Sequence, residues 1–406
     1  MSIILNPGQE SAKNAAVYWY NHSSEQLFQI DGLAGTGKTV VIHAILEAIN
    51  ISPAEYYAMA YTGQASIVMR TRGFTTAKSI HSTLYEVVEV LDRDNISEAF
   101  GVPKKRREFR KRSFIDPNIK LFIIDEAYMV PDYMVKDIMS FGVKVIVCGD
   151  AHQLPPVGGN PGFLINGTIH HLTQLMRQAA DNPLLYLADR AMKGLPIHNG
   201  VYGNNQVLVI NDDEFVPQMI GYADYILCGT NRTRELMNSY VRSLAGFTGS
   251  LPHYGEKVIC RNNNWDIVSE GIALANGLRG TVVSEPDASS FYDRQAFMIN
   301  FKPDLVDTVF YNAEVNFKYF AANFDEKNAI KSSPEREWLV GNMFDYAYAL
   351  TTHLAQGSEV NRGIYIEEFM RPQLMKQLNY TAITRFRQGM IYIKKKNKYF
   401  YIPNQK

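Results

Sequence analysis

Apolar runs alternate with longer amphipathic stretches along most of the chain. Leu27-Phe28-Gln29-Ile30 reads as a buried strand, and residues 40–49 as a helix laid on a sheet. A helical stretch at 15–20 precedes them. Residues 55–61 form a second strand-like run, ending in a small-residue turn at Thr62-Gly63 and a short helix to Arg70. Further strands are predicted at 121–124 and 143–148. After a helical stretch at 182–194 the alternation restarts, with a strand at 225–228, a helix at about 233–244 and strands at 363–366 and 390–393. Between 251 and 340 short β-like runs dominate: 257–260, 281–283, 296–301, 308–311 and 315–320, with Asn276-Gly277 as a hairpin signal. The pattern predicts an α/β protein of two sheets with a small antiparallel barrel inserted in the second. The divisions fall at 1–178, interrupted at about 85–118; at 179–250 with 341–406; and at 251–340.

Composition narrows this little. The 406 residues are 46% hydrophobic and 20% charged, and 41 basic residues balance 41 acidic ones, so any nucleic-acid contact must come from a local basic face. Cys148, Cys228 and Cys260 are widely spaced without C-x-x-C, which predicts a reducing compartment and no zinc site. No run approaches membrane-spanning length and no signal pattern opens the chain, so a cytoplasmic protein is expected.

Candidate chemistry changes the picture more. Gly32-Leu33-Ala34-Gly35-Thr36-Gly37-Lys38-Thr39 is G-x-x-x-x-G-K-[ST] between a strand and a helix, the context a phosphate-binding loop requires. Its glycines let backbone N–H groups curl around an anion, with the positive end of the helix behind them. Lys38 can reach the β- and γ-phosphates, and the Thr39 hydroxyl can ligate Mg²⁺. The strand ending at Asp125-Glu126 supplies the partner acids: Asp125 for the Mg²⁺ shell and Glu126 to orient and deprotonate a water. Gln153, after the strand that ends in Gly149-Asp150, could sense a γ-phosphate without neutralising it, while His152 fits a structural role better. Lys104-Lys105-Arg106-Arg107-Glu108-Phe109-Arg110-Lys111-Arg112 fits a phosphate-neutralising strand contact with Phe109 stacked on a base, and fits a solvated charged loop about as well.

The order of these motifs resembles superfamily 1 helicases, and within them the B-type group typified by RecD and Dda. The most specific pieces are Gly149-Asp150-Ala151-His152-Gln153-Leu154-Pro155-Pro156-Val157 and Thr351-Thr352-His353-Leu354-Ala355-Gln356-Gly357-Ser358-Glu359. The resemblance implies two RecA-like P-loop NTPase domains, an inserted strand-separating pin at 85–118 and a small inserted β-barrel at 251–340. It implies ATP and Mg²⁺ as cofactors, single-stranded DNA and forked duplex DNA as partners, a monomer, 5′-to-3′ movement and a bacterial or phage-infected cell as the setting. Gln9 resembles the adenine-reading glutamine, Gln153 the coupling γ-phosphate sensor, and Arg177 and Arg385 the arginines offered across the cleft. Glu359 matches a ribose- or triphosphate-side residue, while Thr62, His81, Thr83, Asn231, Thr351 and His353 match strand-contacting positions.

Leu354 stands where the family commonly has lysine, and Tyr128 where it has a small residue. Neither belongs to the hydrolytic set. An RNA helicase of the same superfamily and a P-loop ATPase uncoupled from nucleic acid are the alternative readings.

Overall fold

A computed structural model of the chain describes residues 4–96, 103–174, 182–288, 295–333, 340–396 and 400. Its first sheet has six strands, all parallel, in the order Lys78–Ser79, Tyr56–Ala60, Leu121–Asp125, Lys144–Gly149, Leu27–Gly32 and Ile169–Leu172. Strands covered on both faces should be apolar throughout. Leu121, Phe122, Ile123 and Ile124 are accordingly all at most 1% exposed. One face packs against Ala12, Ala16 and Trp19 of the Pro7–His22 helix and Val41, Ile42 and Ile45 of the Lys38–Ala48 helix. The other packs against Met134 and Ile138 of the Asp132–Met139 helix.

The second sheet runs Ala349–Thr351, Tyr225–Cys228, Val360–Ile366, Phe386–Lys394, Val207–Asn211, Gly200–Tyr202, parallel except for its last edge strand. Its helices are Pro183–Lys193, Asn231–Leu244 and Pro372–Ile383. Asn182 and Thr230 cap two starts, and Gly194 ends the first helix in a left-handed conformation.

The insertion forms a third sheet, antiparallel, in the open order Phe310–Asn316, Ala296–Pro303, Arg279–Val282, Lys257–Cys260, Phe344–Tyr346. Its last strand lies beyond residue 340, so the segment does not complete its sheet alone. Two local expectations are corrected. Residues 315–320 do not continue as a strand: the Asn316 side chain accepts from the Tyr319 N–H and starts the Phe317–Ala321 helix. Asn276-Gly277 turns the chain, with Gly277 at φ 86°, but joins strands of different sheets. The hairpin turn is instead at Glu270-Gly271, between Asn264–Ser269 and Ile272–Leu274. Within 85–118, Tyr85–Ile96 and Pro103–Lys111 pair as a long antiparallel hairpin.

Candidate functional site

The phosphate loop leaves the carboxyl end of the Leu27–Gly32 strand and feeds the Lys38–Ala48 helix. Gly35 and Gly37 adopt φ of 84° and 79°, a region that strains other residues. Gly37 occupies the cap position, and no side chain caps this helix. The Lys38 ammonium curls into the loop and donates to the Gly32 carbonyl at 2.6 Å and that of Leu33 at 3.2 Å. Gln9 is anchored beside the loop. Its Oε1 accepts from the Asn6 N–H and its Nε2 donates to the Thr36 carbonyl at 2.9 Å, tying the first helix to the loop.

The acids follow on the Leu121–Asp125 strand. Asp125 Oδ1 accepts from the Glu126 N–H at 2.9 Å and from the Cys148 thiol at 3.2 Å. Burial, then Asp125, push that thiol well above its ordinary pKa, so it remains a donor. Glu126 has φ 51°, a left-handed backbone that costs a non-glycine residue about 1 kcal/mol or more. Its carboxylate faces Arg385, whose guanidinium lies 3.3 Å away. Arg385 is 6% exposed and is held by the Thr381 carbonyl at 3.2 Å and the Ser358 carbonyl at 3.4 Å. One side of this pair belongs to the first sheet and the other to the second.

The seam between the sheets has further polar stitches. The Leu154 N–H donates to the Thr381 hydroxyl at 3.0 Å, and Gln356 Nε2 donates to the Leu154 carbonyl at 2.8 Å. Gly357 adopts φ 69° where a Cβ would meet that of Ala65 at 2.5 Å, so the backbone of one half packs directly on the Ala65 methyl of the other. Gln153 is 4% exposed, and its Oε1 has no hydrogen-bond partner among the described residues. An uncapped helix start and a lysine folded into the loop fit a nucleotide triphosphate, and the orphaned, buried Gln153 oxygen is an acceptor that fits a water or a metal-bound water rather than a phosphate oxygen. Lys38 and the loop amides would hold the phosphates, with Thr39 and Asp125 at the metal.

Glu359 is paired with Arg72 and, at 2.9 Å, with Arg387. Burial would raise its pKa, but Arg72 and the other arginines hold it below the ordinary carboxylate value. Arg72 also stands 3.7 Å from Asp125, and sequence reasoning missed it. An arginine closing the Gly63–Thr71 helix carries no signal of its own. Tyr380, also missed, shares a helix face with Gln377 and Thr381, a spacing that could have revealed it. Arg177 and the side chains of 104–107 lie outside the described residues.

The strand-contact candidates sit at the carboxyl ends of the parallel strands. Thr62 caps the Gly63–Thr71 helix through the Ala65 N–H, and Thr351 ends its strand. Asn231 opens its helix beside the Thr230 cap. Thr83 Oγ1 is spent on the Ser79 carbonyl at 2.9 Å. His81 and His353 are both shifted toward the neutral form by burial. The His81 ring lies 6.3 Å from that of Phe109, which is 49% exposed and packs 4.8 Å from Trp265 of the Asn264–Ser269 strand.

A family model described as an AAA domain matches residues 4–196. The ATP-dependent RecD2 DNA helicase of Deinococcus radiodurans is 27% identical over 42% of this chain and 22% of its own length. The uncharacterized protein MJ1519 of Methanocaldococcus jannaschii is 22% identical over 90% of this chain and 36% of its own. The chain thus spans about a third or less of the length of these curated relatives. Among solved structures, Pif1 helicase from Bacteroides in complex with ADP-AlF3 and ssDNA superposes with a TM-score of 0.55 at 17% identity, covering 99% of this chain and 95% of that one. Pif1 helicase from Candida albicans gives 0.52 at 18%, covering 97% and 94%. The family-model match makes residues 4–196 similar to an AAA domain, the relatives make part of the chain similar to a RecD2 DNA helicase, and the two-sheet fold is similar to that of the Pif1 helicases.

Proposed function

We propose that this protein is an ATP-driven motor on single-stranded DNA that separates duplex DNA. The observation that carries the reading is the Arg385 guanidinium lying 3.3 Å from Glu126 across the seam. Bound ATP with Mg²⁺ supplies the phosphoryl group whose transfer to water drives the motor. Glu126 orients that water and takes its proton, Asp125 and Thr39 serve the metal, and Lys38 and the loop amides hold the β- and γ-phosphates. Arg385 is buried and pre-positioned by two carbonyls, so it meets developing charge with little reorganisation. Gln153 reports the γ-phosphate to the seam, and Glu359 with its two arginines borders the same cleft. Both Glu126 and Arg385 come from one chain, which supports a monomeric motor.

The strand lies along the carboxyl edges of the two sheets, over Thr62, His81, Asn231, Thr351 and His353. In this reading residues 1–178 and 179–250 with 341–406 are the two motor domains. The hairpin within 85–118 is the pin, backed at Phe109 by Trp265 of the 251–340 insertion, the small barrel of the family. The 5′-to-3′ direction rests on the family resemblance. Three buried free thiols suit a reducing cytoplasm. Duplexes tailed on the 5′ or the 3′ side, incubated with ATP, test the proposal. Strand release from the 5′-tailed substrate is expected, and ATP hydrolysis indifferent to single-stranded DNA would overturn it.

A further inference from the structure

Four side chains on and just after the Pro372–Ile383 helix reach across the seam. Gln377 Nε2 donates to the Gln153 carbonyl at 3.3 Å, Thr381 Oγ1 accepts from Leu154, and Arg385 faces Glu126. Tyr380 lies among them and does two things at once. Its hydroxyl donates to the Asp150 carboxylate and accepts from the Ala34 N–H of the phosphate loop at 3.3 Å. Residues three, four and seven or eight apart share one helix face, so these groups move together.

The two bonds of the phenol are unequal. Asp150 is 1% exposed, and a buried carboxylate holds hard to its donors. Its other oxygen accepts from the His152 N–H at 3.0 Å. Burial first, and Asp150 second, push the Tyr380 pKa well up, so the proton stays on the phenol and serves Asp150. The contact to Ala34 is long for an N–H···O bond and therefore the weaker of the two. It also occupies a backbone amide of the loop whose amides cradle an anion.

We infer that Tyr380 is a positioning residue that carries the state of the phosphate loop into the seam: an arriving phosphate competes for the Ala34 amide, while Asp150 keeps its grip and the helix that leads into Arg385 responds. The inference rests on the motor reading above and names a residue that reading does not use. It involves no covalent step, only an exchange of hydrogen-bond acceptors at Ala34.

Tyr380→Phe removes the hydroxyl and keeps the ring. ATP hydrolysis is measured with saturating oligo-dT, together with base pairs separated per ATP and the melting temperature. The inference expects the DNA-stimulated kcat to fall about tenfold, KM for ATP to change less than about threefold and base pairs per ATP to drop. Wild-type values throughout would overturn it. So would a rise in KM with kcat intact, which would make the phenol a plain nucleotide contact. If Tyr380→Phe melts early, Asp150→Ala removes the acceptor with the tyrosine in place: the same kcat loss supports the inference, and wild-type behaviour overturns it. A wild-type enzyme that ignores oligo-dT sinks the motor reading itself, a result visible before any variant is made.

Discussion

The Leu27–Gly32 strand turns into the Lys38–Ala48 helix, and the Tyr225–Cys228 strand turns into the Asn231–Leu244 helix. Each unit sits inside its parallel sheet, and each helix starts at the sheet's carboxyl edge. Their starts differ. Thr230 closes the second, its hydroxyl accepting from the Thr233 N–H at 3.3 Å. The first has Gly37 at its cap, a left-handed turn and no side-chain acceptor. An uncapped start leaves backbone donors needing a partner, and the helix dipole favours an anion there. The two units therefore share a plan, and the open, left-handed start of the first is where the proposed function puts the phosphates. The sheet of the closed unit contributes Arg385 from the opposite side of the seam.

The comparison breaks most visibly at the open end. Lys38→Ala should cut ATP hydrolysis by about 10³-fold or more, since the loop then lacks its mobile cation. A variant within a few-fold of wild type in steady-state assays would assign the phosphates elsewhere. A large effect on stability is expected where Arg234 of the closed unit's helix meets the third sheet, with Asp345 buried between Arg234 at 2.6 Å and Lys327 at 2.9 Å. Asp345→Ala should cost about 3–5 kcal/mol in denaturant melts, because it strands two buried cations. The same group gives a pH signature. Burial would raise its pKa, but Arg234 and Lys327 outweigh that and hold it at about 2, against an ordinary 3.8. Its contribution is thus full above about pH 4 and lost as pH falls toward 2. A melt series from pH 5 to 2 should show the wild type losing stability that Asp345→Ala no longer has to lose. The smallest effect belongs to the closed cap: Thr230→Ala should cost about 1 kcal/mol of stability. If it instead abolished ATP hydrolysis, the two helix starts would not be divided as described.

Much of this was legible because the chemistry is contiguous. The run from Gly32 to Thr39 and the pair Asp125-Glu126 each declare themselves within a few residues, next to apolar strands. Arg72 and Tyr380 were not legible, since each matters through partners far away in the chain: Glu359 for the first, Ala34 and Asp150 for the second. Gln9, expected from family likeness to meet a base, has its amide anchored on Asn6 and Thr36, partners that the sequence did not name. Residues 315–320 show the same limit locally. Their alternation reads as a strand, and one Asn316 cap bond redirects them into a helix.

The central claim is that Glu126 on one side and Arg385 on the other close on a single nucleotide. It is tested most directly by comparing Arg385→Ala with wild type for ATP hydrolysis on oligo-dT and for binding of a fluorescent ATP analogue. The account predicts hydrolysis reduced by about 10³–10⁵-fold with affinity within a few-fold. Hydrolysis near the wild-type rate would contradict it.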